Sequence, residues 1–143
     1  MARLRRALRQ SVSIRPGWGV DDLQFGCNEL ELCDRLGEIE ARRQNHDGEI
    51  ELLVGGAIFR CLNDAFVECT FPDSEKQRVI AQVDGVPLLS VYAWLGGQPD
   101  VVDRAWFRVS LAVGMAYDHR SAAQSSFTVF APGHWDSLLS NEA

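Results

Sequence analysis

Two of the three histidines lie near groups with which they could do chemistry. His119 follows Asp118, His134 stands two residues before Asp136, and Ser125 and Ser126 offer hydroxyls in the same stretch of chain. Nucleophilic catalysis needs a hydroxyl or thiol, a base to take its proton and a third group to orient the base. The residue types are present, but none sits in a diagnostic neighbourhood such as G-x-S-x-G. An aspartate beside a loop histidine also serves an ordinary surface hydrogen bond. No catalytic residue is assigned, and the chain is read as a non-enzyme. Gly55-Gly56 and Gly96-Gly97 do not run from a strand into a helix with Lys and Ser or Thr behind them, as a phosphate loop requires. His46, His119 and His134 are far apart and match no metal-ligand spacing, and Cys27, Cys33, Cys61 and Cys69 form no C-x-x-C pair. No metal and no cofactor are therefore expected.

Binding residues are easier to nominate. Trp94 and Trp106 bracket a segment of Gly96, Gly97, Gln98, Pro99, Asp100, Val101, Val102 and Asp103. Exposed tryptophans anchor protein interfaces, and aspartates beside them would pair with a basic partner. Trp94, Asp100, Asp103 and Trp106 are the predicted partner-binding set. Charge supports this choice. The net charge is −6, but residues 1–20 hold Arg3, Arg5, Arg6, Arg9 and Arg15 and no acid. Positions 21–143 then carry nine basic against twenty acidic residues, a net of −11. Such a body repels nucleic acid and membrane phosphates and steers toward a basic protein. The expected partner is a basic protein, neither nucleic acid nor membrane. A second copy of this chain covering the tryptophans, as in a homodimeric adaptor, is the alternative, and a ligand pocket between helix and sheet is a third.

The elements that must position these residues can be read from period and punctuation. Residues 1–12 form a basic leader, either a short cationic helix or a flexible terminus, and residues 13–143 a single domain. Asn28, with Glu31 three residues on, caps a helix that Gly37 ends. Beyond it the period falls to 2. Extended segments are expected at 49–54, 57–62, 65–71, 78–83 and 86–94, with turns at Asn63-Asp64 and Asp84-Gly85. The longest segment, 105–117, alternates apolar and small or polar residues throughout. A further strand at 125–131 leads to Pro132-Gly133, and Trp135 to Leu139 reads as a short closing helix. The expected class is α+β: an N-terminal helix packed on a curved antiparallel meander of about six strands, with a short C-terminal helix. The apolar fraction of 46% and the absence of a signal peptide or long apolar run fit a cytoplasmic globular protein with reduced thiols.

The phrase Ile14-x-Pro16-Gly17-x-Gly19-Val20-x-x-Leu23-x-Phe25-Gly26, followed by Glu29 or Glu31 and by Leu36-Gly37-Glu38, resembles the opening of BamE/SmpA-like and immunity-type small bacterial proteins. The likeness covers residues 14–39. It implies a strand or turn feeding a helix on an antiparallel sheet, and a role in binding other proteins. With the acidic body it implies an immunity-type inhibitor that sequesters a basic partner such as a toxin enzyme.

Overall fold

Hairpin after hairpin is set by residues that accept a left-handed backbone. Asn63 and Asp64 have φ of 51° and 61°, and Asp84 and Gly85 have φ of 53° and 79°. Two successive positive φ values give the turn whose twist matches the flanking strands. The computed structural model describes residues 10–121 and 123–137. The remaining basic leader residues 1–9 and the end of the expected closing helix, 138–139, lie outside them. Among the described residues the chain forms thirteen strands and two short helices. In order these are β1 (Ser11–Arg15), β2 (Gly19–Val20), β3 (Leu23–Gln24), α1 (Glu29–Leu36), β4 (Ala41–Gln44), β5 (Ile50–Val54), β6 (Ala57–Leu62) and β7 (Ala65–Pro72). Then come β8 (Ile80–Val83), β9 (Val86–Pro87), α2 (Val91–Gly96), β10 (Val101–Asp103), β11 (Phe107–Ser110), β12 (Met115–Asp118) and β13 (Ser126–Phe130).

Two sheets result. The smaller runs β3-β2-β1-β8-β9, and the larger runs β10-β11-β12-β13-β7-β6-β5-β4. All pairs are antiparallel except β1 with β8, where Ser11 to Ile14 lie beside Ile80 to Val83 in parallel. Between the sheets lies one apolar core. Val12, Ile14 and Ala81 enter it from the small sheet, and Leu52, Phe59, Phe71 and Phe127 from the large one. Leu32 and Leu36 of α1, with Val91 and Leu95 of α2, close it.

The α+β expectation is thereby corrected: the molecule is mostly β, its sheets hold five and eight strands, and α1 follows three strands instead of leading the chain. Two local misreadings explain part of the difference. The 105–117 alternation is a hairpin of β11 and β12, not one strand. Its turn, Leu111 to Gly114, is built of residues that continue an apolar pattern, so nothing polar marks it. Ser110 makes the turn, its Oγ accepting from Val113 N at 3.3 Å and its carbonyl from Gly114 N at 2.8 Å. Gly114 has φ of 81°, and a Cβ there would stand 2.8 Å from the Phe130 carbonyl oxygen. The 86–94 segment is likewise not one strand. Ser90 caps α2 with its hydroxyl, accepting from Ala93 N at 3.1 Å, and the apolar run Val91 to Leu95 coils on the core.

Among the described residues no helix is long and apolar enough to cross a membrane.

Candidate functional site

Strand alternation places Leu52, Phe59, Phe71 and Phe127 toward the core, so their neighbours face outward. On β5, β6 and β7 the outward-facing set includes three charged residues, Glu51, Arg60 and Glu68. Register puts Arg43 of β4 opposite Glu51, Glu51 opposite Arg60, and Arg60 opposite Glu68. Four consecutive strands therefore carry Arg, Glu, Arg and Glu side by side. The contacts are short: Arg43 Nε to Glu51 Oε1 2.6 Å, Arg60 Nε to Glu51 Oε2 2.8 Å, and Arg60 Nη1 to Glu68 Oε2 2.6 Å. Arg60 Nη1 also donates to Thr70 Oγ1 at 2.8 Å, and Thr70 meets the Thr128 hydroxyl at 2.8 Å. A bulge in β7 matters here. Cys61 pairs with Phe66 while Arg60 pairs with Glu68, leaving Val67 as the extra residue.

The chain after β13 folds back over this face. Ala131 N bonds the Val67 carbonyl at 2.7 Å, Gly133 turns with φ of 82°, and His134 N bonds the Ala131 carbonyl at 3.1 Å. Trp135 stacks on Phe130 with centroids 4.8 Å apart and donates through Nε1 to Glu68 Oε1 at 3.0 Å. His134 is thereby delivered to two carboxylates. Its Nε2 lies 3.0 Å from Glu49 Oε2 and 3.2 Å from Glu68 Oε1. Glu49 is held from its other oxygen, Oε1 accepting from Asn45 Nδ2 at 2.9 Å.

The site is nearly dry. Glu49, Glu51 and Glu68 are 7%, 6% and 8% exposed. Burial pushes the Glu68 carboxyl up, but the His134 hydrogen bond and the Arg60 charge outweigh it and leave it below the usual range. Burial likewise works against ionised Glu51, and the hydrogen bonds from Arg60 and Arg43 overcome it. The hydrogen bond to Glu68 raises the His134 imidazole above its ordinary value. Glu49, Glu68 and His134 each offer one ligand atom, and these lie within 4.8 Å of one another. Among the described residues this is the one such grouping of three or more.

A cleft of about 770 Å³ opens over the row. Its wall continues across β11, β12 and β13 to Phe107, Ala116, Asp118 and Thr128, and its edge carries Trp106. Trp106 is 47% exposed, and the Arg120 guanidinium lies 4.9 Å from the indole centre.

The residues nominated from sequence are dispersed. Trp106 lines the cleft, whereas Trp94, Asp100 and Asp103 do not. Trp94 lies in α2, half-buried against the core. Asp100 occupies an exposed turn with φ of 55°. Asp103 is held by Arg108, whose Nε and Nη2 donate to its two oxygens at 2.6 and 3.1 Å. The two histidine–aspartate pairs do not assemble. His119 packs edge-on against Tyr92, centroids 5.1 Å apart, while Asp118 faces the cleft. His134 turns to the glutamates. Ser125 donates its hydroxyl to the Ser121 carbonyl at 2.8 Å. Sequence reading missed Glu49, Glu51, Arg60 and Glu68. The available signal was a charge of alternating sign on successive apolar strands. Their approach to His134 has no signature in spacing. No family model matches the chain, and no curated protein or solved structure matches it.

Proposed function

We propose that this protein is a binding domain that takes up a basic segment of another protein in the cleft on the outer face of the eight-stranded sheet. The observation that carries this reading is the composition of that cleft. Five carboxylates line it, from Asp47, Glu49, Glu51, Glu68 and Asp118, against two guanidiniums, Arg60 and Arg120. An exposed tryptophan stands at its rim. Acidic walls attract cationic side chains, and an indole supplies the apolar anchor that concentrates binding energy. A volume of about 770 Å³ suits one or two side chains rather than a whole surface. An immunity-type inhibitor of a basic toxin is a narrower form of the same reading, resting on the resemblance of residues 14–39. The four cysteines stand as thiols and not as disulfides, which supports a cytoplasmic setting.

The test is a titration of the purified chain with arginine- and lysine-rich peptides, followed by tryptophan fluorescence. Binding should weaken steeply with salt, and Trp106→Ala should cost roughly tenfold or more. Equal binding of acidic peptides, or affinity indifferent to salt, would refute the proposal.

A further inference from the structure

We infer that Glu49, Glu68 and His134 form a binding site for one divalent transition-metal ion of the zinc, cobalt or manganese type. The inference goes beyond the peptide-binding role and does not depend on it. It starts from a shortage of protons. Glu49 Oε2 and Glu68 Oε1 both face a single ring nitrogen, His134 Nε2, at 3.0 and 3.2 Å. That nitrogen carries at most one hydrogen. With the ring neutral and its hydrogen on Nδ1, a nitrogen lone pair would point at two carboxylates with nothing positive between them. The Trp135 indole donates to Glu68 Oε1 at 3.0 Å, but it leaves Glu49 Oε2 and the ring nitrogen with no cation between them. One proton supplies a single charge, and a divalent ion supplies two while bonding all three atoms.

The donor set and spacing fit such an ion. One imidazole nitrogen with two carboxylate oxygens is a ligand set for zinc, manganese, cobalt or iron. Metal–ligand bonds of about 2.0–2.2 Å place neighbouring ligand atoms of a tetrahedral site roughly 3.3 Å apart. The two distances to Nε2 are close to that value. The third edge, between the two carboxylate oxygens, lies within 4.8 Å and is closed by rotation of glutamate side chains.

The surroundings of the three ligands argue independently. Ligating carboxylates are normally oriented by hydrogen bonds to their remaining oxygens. Asn45 Nδ2 donates to Glu49 Oε1 at 2.9 Å, and Arg60 Nη1 to Glu68 Oε2 at 2.6 Å. Glu49 thus presents one oxygen to a fixed donor and the other to the shared centre, and Glu68 is fixed at both, Oε2 by Arg60 and Oε1 by the Trp135 indole at 3.0 Å, with Oε1 still facing the shared centre. Asn45 is itself fixed, its Oδ1 accepting from Asp47 N and Glu49 N at 3.0 and 2.9 Å. All three ligands line the open cleft, so an ion can enter and water can complete its coordination.

The experiment uses the full chain without a histidine tag, stripped with chelator and kept reduced. Zinc is titrated by calorimetry and cobalt by visible absorption. The expected result is one equivalent bound with micromolar or tighter affinity. The cobalt bands should lack thiolate charge transfer, which excludes the cysteines. His134→Ala and Glu68→Gln should each abolish binding, and Asn45→Ala should weaken it roughly tenfold. His119→Ala, on the other face, should leave it unchanged. Glu49→Gln keeps the side chain's shape and should also lose the ion, which guards against a fold defect in the alanine variant. Absence of stoichiometric binding by the native chain would overturn the inference and leave a proton-bridged network. So would binding that survives His134→Ala or shows thiolate bands.

Discussion

The strands β5, β6, β7 and β13 present two faces, and each buries a row of side chains, one in the core and one on the floor of the cleft. On one, Phe59, Phe71 and Phe127 are fully buried, with centroids 5.9 and 5.4 Å apart along the row. On the other, Arg60 is wedged between Glu51 and Glu68, with Thr70, Thr128 and the returning His134 and Trp135 around them. The same backbone thus holds a hydrophobic row and an ionic row one residue apart. The first gains from area removed from water and tolerates small errors of placement. The second gains only if every partner is present, because a charge left alone in a dry site keeps the full cost of its lost hydration.

The comparison breaks most clearly by removing one member from each row. Phe59→Ala should cost about 3–5 kcal/mol through lost transfer energy and a cavity. Arg60→Ala should cost a similar amount, about 3–5 kcal/mol, because it strands Glu51 and Glu68. Denaturant unfolding of the two variants measures both. An Arg60→Ala loss of only a few tenths would mean the ionic face is wet.

Replacing the row as a unit should give a different answer. Glu51→Leu, Arg60→Met and Glu68→Leu together should lie within about 1 kcal/mol of the native protein, with Trp135 losing an acceptor. The same melts decide it. A triple variant as unstable as Arg60→Ala would show that the row holds something beyond its own charges.

Much of this was out of reach of sequence reading, for identifiable reasons. The α1 cap was legible because Asn28 and Glu31 are local: Asn28 Oδ1 accepts from Glu31 N at 2.8 Å, and Gly37 closes the helix with φ of 82°. The Asn63-Asp64 and Asp84-Gly85 turns were legible for the same reason. The α2 helix was not, since Val91, Tyr92, Ala93, Trp94 and Leu95 suit a strand as well as a helix and only packing decides. Glu49, Glu68 and His134 come from distant parts of the chain and meet through the β13–β7 pairing, a long-range event that no local pattern encodes. Trp106 was the member of the nominated set that reached the cleft. Asp103 looked free only because Arg108, five residues on, could not be seen to bend back onto it.

A smaller effect distinguishes the faces by pH. Tyr117 pairs with Phe127 in register, and its hydroxyl donates to Asp73 Oδ2 at 2.6 Å. Burial, then the Asp73 hydrogen bond, pushes its phenol from 10.0 up to about 12. The folded state thus favours the protonated phenol. Its contribution should be complete below about pH 10 and be lost as pH rises toward 12. Thermal melts across that range should show the slope, and Tyr117→Phe should flatten it. The smallest expected effect is that of Trp106→Ala, which should change stability by no more than about 0.5 kcal/mol. A larger loss in a melt would mean that the indole is part of the frame and not free to serve a partner.

The parallel pairing of β1 with β8 carries a consequence for how the chain reaches this state. Ser11 to Ile14 cannot be hydrogen-bonded on that side until Ile80 to Val83 have been made. During synthesis Val12 and Ile14 therefore wait at an open edge, with β2 alone beside them. Closing so long a loop costs more chain entropy than closing a hairpin, so the β1–β8 pair is expected to form after the local hairpins. Once β8 arrives, the first strand becomes an interior one, flanked on both sides. The beginning of the described chain is thus the last part of the small sheet to be locked, and a φ-value near zero at Val12 would record it.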